Sequence, residues 1–185
     1  NGNGIEVVLA GGRETMTDTA TADPEYPARM GRRRDGRNLI DEWLAARPGS
    51  RYVWNYEQFA AIDPQNTQHL LGLFEPSHMQ YEADRRPTDG TAGRDGAGEP
   101  SLAEMTAKAI GILRNNGQGY YLMVEGGRID HAHHVGNAHR ALDLSPDRNA
   151  LPRSLFQLGV RRDAGRDHAE VAIREPRPVV AAEHE

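Results

Sequence analysis

The feature that most constrains the fold is a strand–helix–strand pattern across residues 69–124. His69-Leu70-Leu71-Gly72-Leu73-Phe74 is a short, continuous apolar run closed by Glu75-Pro76. Such a run suits a strand buried on both faces. Ser101-Leu102-Ala103-Glu104 then matches a capping box, in which the serine side chain accepts the third amide and the glutamate returns to the serine amide. Leu102, Met105, Ala109, Ile112 and Leu113 recur on one helical face as far as Asn115, and Asn116-Gly117 offers a left-handed stop. Gly119-Tyr120-Tyr121-Leu122-Met123-Val124 is the next strand-like run. Two strands joined through a helix lie parallel, since antiparallel neighbours need only a hairpin. The expected fold class is α/β, a layered sandwich around a mainly parallel central sheet.

The flanking segments agree. Ile5-Glu6-Val7-Val8-Leu9-Ala10, ended by Gly11-Gly12, and Arg51-Tyr52-Val53-Trp54-Asn55 read as two further strands. Leu39, Ile40, Trp43 and Leu44 form the apolar stripe of a helix over residues 38–46, and a short helix is expected over Glu57–Ile62. Residues 13–36 are polar and turn-rich, with Asp23-Pro24 and Tyr26-Pro27 disfavouring helix. Residues 85–98 have no periodicity and read as an inserted, disordered loop. A helix could begin near His133 and run through Ala138 and Leu142. From Leu144 the character changes to seven arginines, four prolines and one weak apolar patch. The domain expected is thus residues 1–143, with 144–185 a divergent, poorly ordered tail.

Composition removes several classes of function. No apolar run approaches the roughly 18–20 residues of a membrane span. The absence of cysteine excludes a disulfide framework and thiolate metal sites. A formal charge of -5 argues against nucleic-acid binding driven by bulk charge. Of the 22 basic residues only Lys108 is lysine, so a lysine nucleophile has one candidate. No basic segment followed by an apolar h-region is visible.

The chemistry concentrates at the end of the last predicted strand. In open α/β sheets, ligands bind beyond the carboxyl ends of the strands. Glu125 sits at such an end, followed by Gly126-Gly127, which permits a sharp turn or close backbone approach. Asp130 and His134 lie four residues apart and share a face if the segment is helical. A carboxylate with an imidazole suits zinc, and a carboxylate with water suits magnesium. An exposed acidic, histidine-rich loop explains the same residues, and spacing alone leaves both readings open. His131, His133 and His139 read as neighbours of the ligands.

Val124-Glu125-Gly126-Gly127-Arg128-Ile129-Asp130-His131-Ala132-His133-His134 closely resembles the metal-site segment of animal-type alkaline phosphatases. Leu9-Ala10-Gly11-Gly12-Arg13, Asp23-Pro24-Glu25-Tyr26-Pro27, Arg34-Asp35-Gly36-Arg37-Asn38-Leu39, Arg51–Asn55, Gly72-Leu73-Phe74-Glu75-Pro76 and Glu99–Thr106 also resemble that family, in family order. The resemblance runs over about residues 5–143 and implies a partial alkaline-phosphatase-like three-layer sandwich.

By that resemblance, Glu125 is the magnesium ligand, and Asp130 and His134 are two ligands of a catalytic zinc. Phe74, through its carbonyl, Glu75 and Glu99 match a peripheral calcium site. The implied reaction is hydrolysis of phosphate monoesters through a phosphoserine, with zinc and magnesium as cofactors. The implied assembly is a homodimer, extracellular or held at the cell surface by a lipid anchor not visible here. Two parts of the family pattern are not found. No Asp-Ser pair occurs anywhere to supply the nucleophile, and Asp167-His168, the only downstream Asp-His pair, lacks the apolar strand that should deliver second-zinc ligands. The chain alone is therefore expected to be inactive. The alternatives are a non-catalytic zinc- or magnesium-binding fragment and an unstable truncated product.

Overall fold

The computed structural model describes residues 4–82, 84–85, 98–116 and 119–143, apart from the side chains of His139, Leu142 and Asp143. Three parallel strands form the sheet: β1 (Val7–Ala10), β2 (Arg51–Val53) and β3 (Leu70–Leu73), in the order β1-β3-β2. Leu70 is in register with Val7 on one side and Arg51 on the other. β3 holds the central position and is buried at every residue, whereas the equally apolar β1 is half-buried.

The pleat divides β3 between two cores. Leu70 packs with Val53, Phe59, Phe74, Met105 and Ile112 on one face, and Leu71 and Leu73 pack with Ile40 on the other. Gly72 is obligatory at this crowded place, since a Cβ there would lie 2.7 Å from both Leu9 and the Phe74 ring. The Leu71 face is covered by α1 (Leu39–Ala45), whose first amides bond to the Asn38 side chain. The Leu70 face is covered by α2 (Tyr56–Ala60) and α3 (Leu102–Leu113), which completes a helix–sheet–helix sandwich. The expected capping box is present on α3: Ser101 Oγ accepts from Glu104 N at 3.1 Å, and Glu104 Oε2 accepts from Ser101 N at 2.7 Å. Lys108 donates to the Ile62 carbonyl at 2.8 Å and lies over the Phe59 ring, with burial lowering its pKa. The only lysine is thus a packing group between α3 and α2.

Two expectations need correction. Tyr120–Val124 alternates in burial, with Tyr121 and Met123 exposed and Leu122 and Val124 half-buried, yet it joins no ladder among the described residues. The reason is spatial: an open cleft of about 1530 Å³ separates it from β1. The helix expected from His133 instead begins at Gly127, as α4 (Gly127–His134). It stops at Gly136, whose φ of +65° favours glycine, and α5 (Ala138–Asp143) follows. Most of the 85–98 insertion, the whole 144–185 tail and Asp167-His168 lie outside the described residues.

Candidate metal centre

The carboxyl ends of β1 and β3 are stitched together before any ligand is considered. Gly12 N donates to the Ser77 carbonyl at 2.6 Å, and Arg13 N donates to the Glu75 carbonyl at 3.0 Å. Gly11 permits that approach, because a Cβ there would meet the Ser77 carbonyl at 2.2 Å. Arg13 is then carried into the interior, only 1% exposed. Its guanidinium donates to both Asp23 oxygens (2.7 and 2.8 Å), to Glu25 (3.1 Å) and to the Leu73 carbonyl (2.9 Å), and it lies over Trp54. Burial alone would raise the Asp23 pKa. The Arg13 hydrogen bonds and the Tyr26 and Glu25 amides outweigh burial and hold it below its ordinary value.

Beside this anchor, α4 carries the predicted zinc ligands. The i, i+4 spacing places Asp130 Oδ1 and His134 Nε2 3.4 Å apart, with side chains 45% and 75% exposed. Two ligands of one tetrahedral zinc, each bound at roughly 2.0–2.1 Å, would lie about 3.3 Å apart. The pair therefore fits two adjacent corners of such a site. The opposite side of α4 turns inward through Ala132, which is fully buried. Glu125 and His133 are exposed. Among the described residues, no cluster of three histidine, aspartate or glutamate side chains forms, so Glu125 is not gathered with Asp130 and His134.

The loop after β3 holds α4 and α5 in place. The rings of His78 and His131 meet edge-on at 4.6 Å, and Arg128 bonds to His131 Nδ1 at 3.0 Å. Arg128 and Arg140 both lie over the Tyr81 ring, at 4.1 and 4.5 Å, and Arg140 pairs with Asp84 at 2.7 Å. His131 is accordingly a packing residue in this arrangement.

The predicted calcium residues do converge. Phe74, Glu75 and Glu99 are all buried. Gln80 joins the two carboxylates, donating from its backbone to Glu99 Oε1 at 2.8 Å and from its side chain to Glu75 Oε1 at 3.4 Å. Sequence reasoning missed Gln80, His78 and Tyr81, which carry no periodic or motif signal. It placed Arg13 in a polar, turn-rich stretch and in a family-like block, without assigning it a role. The signal that marks it is a glycine pair delivering an arginine at a strand end, with Asp23 and Glu25 downstream.

The alkaline phosphatase family model matches residues 1–147. The chain belongs to the alkaline phosphatase family. Human tissue-nonspecific alkaline phosphatase is 43% identical over 161 residues, covering 84% of this chain and 28% of its own length. Alkaline phosphatase of Gadus morhua is 43% identical over 144 residues, covering 75% of this chain and 28% of its own length. Among solved structures, Thermus thermophilus alkaline phosphatase superposes with a TM-score of 0.56 at 35% identity, covering 76% of this chain and 25% of that one. The chain therefore spans between a quarter and a third of the alkaline phosphatases it matches. The expected fold class, a partial α/β sandwich with a parallel sheet, is that of the solved relative.

Proposed function

We propose that this chain is part of a phosphate-monoester hydrolase of the alkaline phosphatase type and supplies part of its metal centre. The observation that carries the reading is the 3.4 Å approach of Asp130 Oδ1 to His134 Nε2 on the open face of α4. A carboxylate and a neutral imidazole are the donor types zinc takes. Zinc bound there would supply Lewis-acid stabilisation of phosphoryl oxygens. Asp130 and His134 would act as ligands and not as proton carriers. Glu125, one loop earlier, would serve a magnesium ion. The Ala132 side of α4 and the Tyr81 clamp fix the direction in which the pair points. The reading implies a serine nucleophile and a phosphoserine, for which this chain contains no Asp-Ser segment. It also carries the homodimeric, extracellular or lipid-anchored setting that the family resemblance implies.

A second reading concerns calcium. Two buried carboxylates, Glu75 and Glu99, approach one Gln80, beside the chain carrying the Phe74 carbonyl. Hard oxygen donors in this arrangement suit calcium.

The test is calorimetric titration of the purified chain with zinc, beside an Asp130→Ala/His134→Ala double variant. One zinc should bind the native chain, and the variant should lose at least about tenfold in affinity. Equal binding by both forms would sink the assignment. Turnover of a chromogenic phosphate monoester by the 185-residue chain alone is expected to be absent.

A further inference from the structure

Helix α4 has little apolar contact to fix its rotation. Among its eight residues only Ala132 is buried, and no side chain caps its start at Gly126. A helix aims its side chains by its rotation about its own axis, and successive residues turn by about 100°. A binding pair stays competent only if it is held to within roughly 10–20°. The rotation of α4 must therefore be set from outside the helix.

Three contacts set it, all from the loop after β3. On α4 itself, Arg128 lies over the Tyr81 ring and His131 meets His78. The third contact reaches α4 through α5. Asn137 N donates to the Ala132 carbonyl at 2.9 Å, and Asn137 Oδ1 accepts from Arg140 N at 3.0 Å, so the two helices form one elbow. Arg140 then lies over the same Tyr81 ring at 4.5 Å and pairs with Asp84 at 2.7 Å. The electron-rich ring attracts both guanidiniums, and Asp84 offsets the charge that the second one brings. By helical arithmetic, Arg128 and His131 are centred roughly 110° around α4 from Asp130 and His134. The contacts thus leave the zinc pair open while fixing where it points.

We propose that Tyr81 and Arg140 are positioning residues for the zinc pair. They act through α4 and not as ligands. Tyr81 gathers the α4–α5 elbow onto the loop after β3, and Arg140, held by Asp84, sets the angle of the elbow. The inference rests on the zinc reading of Asp130 and His134. It adds that zinc affinity depends on the aromatic face of a residue some fifty positions earlier in the chain and on a cation in the next helix.

The test compares the native 185-residue chain with Tyr81→Phe, Tyr81→Leu, Arg140→Gln and Asp130→Ala/His134→Ala. Zinc affinity is read by calorimetry, coordination geometry by the visible absorption of bound cobalt(II), and the integrity of the fold by amide exchange at Leu70 and Leu71. Tyr81→Leu keeps the bulk but loses the ring face, and should weaken zinc by about tenfold and change the cobalt spectrum. Tyr81→Phe keeps the face and should return both to native values. Arg140→Gln should weaken zinc by about threefold, the equivalent of one exposed cation–π contact, with the β3 amides still protected. It decides the matter if Tyr81→Leu unfolds. Native affinity in a folded Tyr81→Leu or in Arg140→Gln, or equal losses in Tyr81→Leu and Tyr81→Phe, would overturn the inference and leave the zinc reading standing. Equal zinc binding by the native chain and Asp130→Ala/His134→Ala would overturn the zinc reading and this inference with it.

Discussion

Two charged clusters lie at the same end of the sheet and are built in opposite ways. Arg13 is 1% exposed, and its guanidinium is spent on Asp23, Glu25 and the Leu73 carbonyl. His134 is 75% exposed, and among the described residues its ion-pair partner is Asp130. The first cluster spends its guanidinium on internal partners and fastens the residues after β1 to the end of β3. The second directs its donors away from the protein that carries them. A group serving the fold is satisfied from within, whereas a group serving a ligand keeps coordination capacity in reserve. Burial and partner count therefore separate scaffold from candidate site in this chain more clearly than charge does.

That contrast predicts its largest effect at Arg13. Replacing it by alanine leaves the buried Asp23 carboxylate without the guanidinium that pairs with it. Breaking a buried pair from one side costs about 3–5 kcal/mol. Urea unfolding of Arg13→Ala should show a loss of that order. A loss under about 1 kcal/mol would place Arg13 with the exposed ion pairs and dissolve the contrast.

The acid limb of stability should report the same cluster with a smaller effect. The folded pKa of Asp23 lies below its ordinary 3.8. A group depressed in this way contributes fully above the unfolded value and loses that contribution as pH falls through the folded value. Urea stability should therefore decline as pH is lowered below 3.8, and less steeply in Asp23→Asn. Equal slopes in the two proteins would show that Arg13 does not hold the Asp23 carboxylate.

The helices and three strands were legible because each carries a local signal. The Ser101–Glu104 box, the apolar stripe of residues 38–46 and the unbroken apolar run of β3 are decided within a few residues of chain. The i, i+4 relation of Asp130 and His134 was equally local, needing only that the segment be helical. The fourth strand failed for a non-local reason. Tyr120–Val124 has the right composition, but a strand is defined by its neighbour, and an open cleft occupies the neighbour's place. The onset of α4 at Gly127 was misjudged because the glycine pair there signals a turn more strongly than a helix start. The Gln80 bridge and the Tyr81 clamp depend on a loop folding back, which no periodicity encodes. Family blocks supplied what local chemistry left open at Glu75 and Glu99, and the structure joins both to Gln80.

The smallest expected effect on stability lies at the other pole of the comparison. His134 projects from the last turn of α4 with most of its surface in water. Truncating such a side chain removes no buried contact, so His134→Ala should change unfolding free energy by no more than about 0.5 kcal/mol. Zinc should narrow the gap between the variants. A ligand held only by the folded state adds roughly 2.7 kcal/mol when present at one hundred times its dissociation constant. The melting temperature of the native chain should therefore rise with added zinc, that of Arg13→Ala should rise in parallel from a lower start, and that of His134→Ala should stay flat. A flat Arg13→Ala would mean that the anchor also forms part of the metal-binding face. A rising His134→Ala would move the zinc off α4, and the two clusters would no longer divide into scaffold and site.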